Sequence, residues 1–147
     1  MAISQTAEYA LRAVIRLAQM PEQAQTTQQL AESTRVPQSY LPKVLQPLAR
    51  AGIVKAQRGS HGGYSLSREA QSLSVQEVVH CVDPPYHREA CRGEGHQMCR
   101  LHQLLTDVQS VTEDRYAATS IGDLVQSGCG SEPLCNLHLD ELQQIAT

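Results

Sequence analysis

One stretch constrains this chain more than any other: Val36 to Leu66, VPQSYLPKVLQPLARAGIVKAQRGSHGGYSL. Leu41, Val44, Leu45 and Leu48 recur at helical spacing, so a short helix with one apolar face is predicted. Gln38, Ser39, Tyr40 and Lys43 leave the other face free of acids. Gly52 stands where a chain leaving a helix turns left-handed, a conformation glycine takes without penalty. Ile53 and Val54 suit the opening of a strand. Arg58-Gly59-Ser60-His61-Gly62-Gly63 can then reverse sharply, and Tyr64-Ser65-Leu66 returns as the partner strand. Helix, stop, strand, glycine tip and strand in that order predict a mainly α chain with a small β-hairpin, the working end of a winged helix-turn-helix.

The chain ahead of this stretch supplies the supporting helices. Ser4 can cap a first helix and Ile3 can staple its entry. Ala7, Leu11, Val14 and Ala18 form its stripe, and Pro21 stops it. Glu8 and Arg12, one turn apart, read as an exposed pair. Residues 22–25 read as a polar linker. Thr26-Thr27-Gln28-Gln29 is a capping box that opens a helix over 27–33, with Leu30 and Ala31 inward. The turn Thr34-Arg35 is unusual, because glycine is commoner there. Val36 points inward and Pro37 suits the start of the next helix. Pro42 falls near that helix's first turn, where a missing N–H costs little. Pro47 lies deeper and is expected to kink the last turn, at up to ~3 kcal/mol if uncompensated.

Behind the hairpin, residues 67–73 read as a polar loop. Ser74-Val75-Gln76-Glu77 is a second capping box, and Val75, Val78, Val79 and Val82 share one side of the helix it opens. Asp83-Pro84-Pro85 ends that helix. Residues 86–98, YHREACRGEGHQM, have no periodicity and are rich in His and Cys. Leu101, Leu104, Leu105, Val108 and Val111 then mark a long amphipathic helix over about 99–117. Such a helix cannot bury its stripe alone, and pairing with a second copy is the economical solution. Thr119 reads as the cap of a short helix carrying Ile121, Leu124 and Val125. Gly128-Cys129-Gly130-Ser131 breaks the chain again, and residues 137–146 read as a terminal helix. The organisation read here is a DNA-binding domain over 1–82, a Cys/His sensor loop over 83–98, and a long C-terminal dimerisation helix with its tail over 99–147.

Net charge is −3, but it is divided unevenly. Residues 1–68 carry eight Lys/Arg and three acids, whereas the remainder carries four and twelve. A basic half joined to an acidic half fits a nucleic-acid-facing module attached to something else. Aromatics are 3%, with no Phe and no Trp, so the core is built from Leu, Val, Ile and Ala. No apolar run approaches the ~20 residues that span a bilayer, and no signal peptide is read at the N-terminus. The expectation is a cytoplasmic protein with no membrane contact, whose five cysteines serve as thiols or metal ligands rather than disulfides.

The polar face of the central helix can reach base edges without repelling phosphate. Gln38 can pair with adenine and Ser39 with several bases. Tyr40 and Lys43 can reach the backbone, and Arg58, Ser60 and His61 on the wing can contact phosphate or the minor groove. Double-stranded DNA is the expected partner. No phosphate-binding glycine loop, hydrolase triad or paired-carboxylate site stands out, so an enzyme is not expected.

Three segments carry a closer resemblance. They are Ser4 with Glu8-Tyr9-Ala10-Leu11-Arg12-Ala13, then Tyr40-Leu41-Pro42-Lys43-Val44-Leu45 through Ala51-Gly52-Ile53-Val54, then Arg58-Gly59-Ser60-His61-Gly62-Gly63-Tyr64-Ser65-Leu66. Together they resemble the Rrf2 family of winged-helix transcription regulators, of the IscR, NsrR and RirA type. The resemblance implies a homodimer held by the long helix, a palindromic operator read by two winged helices, and regulation of transcription rather than catalysis.

Cys91 and Cys99 flank the polar segment, and Cys99 begins the long helix. The positive end of a helix favours thiolate, the form that binds iron or zinc. His102, three residues on, shares a helix face with Cys99. Cys-x7-Cys-x2-His is thus a candidate ligand set for a soft metal centre. The family resemblance points to an iron–sulfur cluster, [2Fe–2S] in the preferred reading, sensing redox state, iron or nitric oxide. One of the family's three cysteines is missing here, so Glu8 from the first helix of the other subunit, or His102, would complete it. The alternative is a cluster-free regulator responding through thiol oxidation, zinc or a protein partner, with Cys91 and Cys99 as plain thiols and Glu8 paired only with Arg12. Cys81 reads as a small core residue, and Cys129 and Cys135 lie beyond the family's usual cluster loop.

Overall fold

The computed structural model describes residues 3–85, 99–126 and Leu134. Helices α1 (Gln5–Gln19), α2 (Thr27–Thr34) and α3 (Leu41–Arg50) precede strands β1 (Val54–Gln57) and β2 (Gly63–Leu66). Helices α4 (Val75–Val82), α5 (Arg100–Ala117) and α6 (Ile121–Gln126) follow. The core is aliphatic: Leu17, Leu30, Leu41, Leu45, Leu48, Leu73, Val78 and Ile121 are all fully buried. It lies where α1 meets α3, α4 and α6. No helix among the described residues is long and apolar enough to cross a membrane.

The caps form as the sequence predicts. The Ser4 hydroxyl accepts from the Ala7 N–H, and both capping boxes close, Thr26 with Gln29 and Ser74 with Glu77. Each satisfies backbone donors that the first helical turn leaves without partners. At the end of α3 the Gly52 N–H donates to the Ala49 carbonyl and the Ile53 N–H to that of Leu48. Gly52 has φ +70° and Ile53 packs inward with Leu48. This is a Schellman stop, and it fixes the angle at which the chain enters the wing.

Several expectations need correction. The helix over the central stretch starts at Leu41, not near Pro37; residues 38–40 form a turn ahead of it. Pro42 has no N–H for the Gln38 carbonyl, so the α pattern can begin only where that donor is not required. The helix continues through Pro47 to Arg50, and the Lys43 carbonyl deprived of a donor lies on an exposed residue. Ser120, not Thr119, caps α6: its hydroxyl accepts from the Asp123 N–H at 2.9 Å while Asp123 accepts from the Ser120 N–H at 3.0 Å. Asp123 three residues on makes Ser120 the better cap, and the Thr119 hydroxyl turns back to the Arg115 carbonyl. Residues 67–73 are not only a polar loop. They include a 3₁₀ turn over Ala70–Ser72, and Leu73 is fully buried with its carbonyl accepting from the Ile121 N–H. Ala31 is only half-buried beside the buried Leu30.

The largest correction concerns Arg12, which is 6% exposed rather than part of a surface pair. Its Nε donates to Glu8 Oε1 and its Nη1 to the Thr34 carbonyl, each at 3.2 Å. Arg35, the next residue, holds φ +60°. A side chain in that region costs roughly 1–2 kcal/mol. The turn that seemed to lack a glycine is therefore held from outside, by Arg12 across from α1. The expected loop over 86–98 and the terminal helix over 137–146 lie outside the described residues.

Candidate nucleic-acid interface and sensor helix

The helix-turn-helix is α2, the Thr34–Tyr40 turn, and α3. Thr34 is fully buried; its hydroxyl donates to the Leu30 carbonyl and accepts from the Val36 N–H at 3.4 Å. With Arg12 on the Thr34 carbonyl, this network fixes how α3 leaves α2. The apolar side of α3 buries Leu41, Val44, Leu45 and Leu48. Its other side stays in solvent: Gln38, Ser39 and Lys43 are exposed. Gln46 and Arg50 are exposed too, and their spacing from Lys43 places them along the same face. The sequence reading passed over them, although that spacing was visible.

Tyr40 has a second duty. Its hydroxyl shares a 2.7 Å hydrogen bond with the Thr6 hydroxyl, and its ring meets Tyr9 edge-on at 5.1 Å. Lys43 Nζ lies 5.1 Å from the centre of the same ring, a cation–π contact. Tyr40 thus braces the start of α3 against α1 and steadies Lys43.

The wing is built by β1 and β2, antiparallel with Val54 opposite Leu66 and Gln57 opposite Gly63. Arg58, Ser60 and His61 occupy its exposed tip, with Ser60 Oγ 3.2 Å from His61 Nδ1. The supposed linker takes part as well. Gln25 and Tyr64 exchange two backbone hydrogen bonds, both 2.8 Å, so the approach to α2 pins β2 along the edge that β1 leaves open. Gly63 permits this, because a Cβ there would sit 2.6 Å from the Gln25 carbonyl carbon and oxygen. No sequence pattern announces a two-residue bridge of this kind.

At the other end, Cys99 caps α5 with an extended backbone and its carbonyl accepts from the Gln103 N–H. Cys99 is exposed, and its Sγ lies 3.1 Å from His102 Nδ1. The predicted pair is therefore brought together. Two ligands on one tetrahedral metal sit roughly 3.5 Å apart, so a small rotation of either side chain would let both reach one ion. A thiolate and an imidazole are apt donors for iron or zinc. Cys91 lies outside the described residues. Glu8 is held by Arg12, and among the described residues no group of three His, Cys, Asp or Glu is assembled for a metal within one chain. Cys81 is half-buried on α4, and burial pushes its thiol up from the ordinary value.

Along α5, Leu101, Leu104, Val108 and Val111 are 57–71% exposed, and none of the helix's residues is buried. Four of the stripe's five residues are thus uncovered, and Leu105 is half-buried.

Residues 3–127 match the Rrf2 family, described as iron-dependent transcriptional regulators. The chain belongs to this family. Its relatives include an Aquifex aeolicus protein described as an HTH-type transcriptional regulator, 26% identical over 85% of this chain and 92% of that protein. A Rhodobacter capsulatus protein described as an rrf2-like HTH-type transcriptional regulator is 36% identical over 56% of this chain and 58% of its own length. Among solved structures, T. potens IscR superposes with a TM-score of 0.74 at 22% identity, over 85% of this chain and 86% of that one. CymR, the global cysteine regulator of B. subtilis, superposes with a TM-score of 0.73 at 23% identity, over 85% and 96%. These likenesses show the Rrf2 winged-helix fold. The Rrf2 family is one of DNA-binding transcriptional regulators, not of enzymes.

Proposed function

We propose that this Rrf2-family regulator works as a homodimer on a palindromic operator, and that a [2Fe–2S] cluster controls its grip. One observation carries the reading: Cys99 and His102, 3.1 Å apart, head a helix whose apolar stripe is uncovered. Two α5 helices packed stripe to stripe bury Leu101, Leu104, Val108 and Val111. Two copies of α3 then face successive turns of a duplex, as helix-turn-helix dimers do. Gln38 and Ser39 read base edges; Lys43, Arg58 and His61 meet phosphates; Ser60 accompanies them on the wing. Cys91, Cys99 and His102 hold the cluster, and Glu8 of the partner subunit completes it. The bound cluster supplies sensitivity to redox state, iron or nitric oxide. The residues at Cys99 and His102 translate that state into the position of the α5 end.

Anaerobically purified protein is expected to be brown and to contain iron and acid-labile sulfide, with Cys99→Ala losing both. A colourless, iron-free wild type after anaerobic reconstitution overturns the cluster.

A second reading rests on the exposure of Cys99 beside His102. An exposed sulfur beside an imidazole is open to oxidants and to soft metals, so the same regulator could respond by thiol oxidation, by zinc or through a partner protein. Mass spectrometry for a disulfide, with zinc analysis, separates these. Operator affinity unchanged in Cys91→Ser and Cys99→Ser leaves only the partner.

A further inference from the structure

Helix α5 is held to the winged-helix module by little. None of its eighteen residues is buried, and among the described residues Tyr116 is its one apolar side chain packed against the core. Among the described residues, one carboxylate of α5 meets two side chains of α4. Glu113 Oε2 accepts from Gln76 Nε2 at 2.8 Å and lies 2.6 Å from His80 Nε2. Gln76 and His80 are one turn apart on α4, so both side chains reach the same carboxylate from one face, Gln76 as its hydrogen-bond donor. All three side chains are half-buried, where such bonds are worth more than in open water. The joint lies three residues from Tyr116 on the same face of α5, so polar and apolar attachments coincide at the C-terminal end of the helix. The stripe from Leu101 to Val111 extends away from this anchorage.

From this geometry we infer that Glu113 is a positioning residue for DNA recognition: clamped by Gln76 and His80, it sets the angle of α5 on its module. The inference rests on the homodimer reading. If two α5 helices pair, the angle at each joint fixes how far apart the two α3 helices stand. A loosened joint leaves each module its own contacts with a half-site but lets the pair accept wrong separations. Specificity for spacing then falls while half-site contacts survive.

The test uses duplexes. A preferred site is selected from random sequence with the full-length protein, and versions with one base pair added or removed at the centre are compared. Wild type is expected to discriminate against the altered spacings. Glu113→Ala is expected to lose about tenfold of that discrimination, which the lost Gln76 hydrogen bond to a charged carboxylate can supply. Its affinity for an isolated half-site and its dimeric mass are expected to stay as in wild type. Glu113→Gln keeps an acceptor for the Gln76 amide and is expected to restore most of the discrimination, which a general loss of stability would not predict. Glu113 is preferred to Gln76 and His80 for the test because both of those also line a groove of about 350 Å³ with Arg68, Glu77 and Cys81. Should Glu113→Ala fail to fold, Gln76→Ala removes the donor and carries the same comparison. A folded, dimeric Glu113→Ala with the wild-type spacing profile overturns the joint and leaves the dimer standing. A wild type that sediments as a monomer on its operator overturns the dimer, and this inference with it.

Discussion

The winged-helix module and α5 are both helical and both amphipathic, yet they end in opposite states. In the module, the apolar faces of α1, α3 and α4 close on one another, and side chains such as Leu45 and Val78 reach zero exposure. In α5 the corresponding stripe stays 57–71% exposed. The difference lies in what is available to cover each face. α1, α3 and α4 are joined by connections that fold their stripes together, whereas α5, among the described residues, meets chiefly α4. Amphipathicity therefore specifies that a face needs covering, not what covers it.

That contrast can be broken at several points. The largest effect is expected in the module's core. Leu45→Ala leaves a cavity where nothing is exposed and should cost about 2–5 kcal/mol, read as a lower urea midpoint that does not change with protein concentration. Leu104→Asp, on the stripe, should leave the module's own unfolding within roughly 0.5 kcal/mol. It should instead break the proposed dimer, read by sedimentation; a dimer that survives this change would sever the stripe from assembly. Arg12→Ala comes next. It strips a donor from the buried Thr34 carbonyl and should cost about 1–3 kcal/mol, with DNA affinity falling further than stability because the turn before α3 loses its support.

Smaller effects sharpen the picture at the helix ends. Ser74→Ala opens the α4 capping box at a cost of about 1 kcal/mol, checked by denaturation. The same box carries a pH signature. The Ser74 N–H, and next Arg68, hold the Glu77 carboxyl below its ordinary value of 4.5. A depressed carboxyl means the unfolded chain binds the proton more readily, so the contribution is complete above the unfolded value. It is lost as pH falls through the folded one. Asp123 shifts the same way, through the Ser120 N–H first and its hydroxyl second. Both carboxylates are exposed, so screening keeps the effect small. A stability profile that is flat through the acid range in wild type, and equally flat in Ser74→Ala, would remove the capping box from the account.

Much of this was readable in one dimension because its causes are local. A capping box is a four-residue pattern, a Schellman stop needs one glycine at the right place, and helical stripes declare themselves by spacing. Arg12 could not be read this way. Its neighbour Glu8 suggested a surface pair, but its second partner, the Thr34 carbonyl, is twenty-two residues distant. The Gln25–Tyr64 bridge and the Glu113 clamp were hidden for the same reason. At the sensor end, the Cys99–His102 contact was legible, since three residues on a helix bring side chains together.

The sequence by itself determined which helices form and where capping boxes open them, which faces are apolar, and that the basic charge belongs to the first half. Tertiary structure alone decided that Arg12 braces the recognition turn, that Gln25 straps the wing, and that α4 grips α5 through Glu113. The physical reason is range. Backbone conformation and amphipathic spacing are set by neighbours a turn away, whereas a buried donor finds its acceptor only after the chain has closed around it.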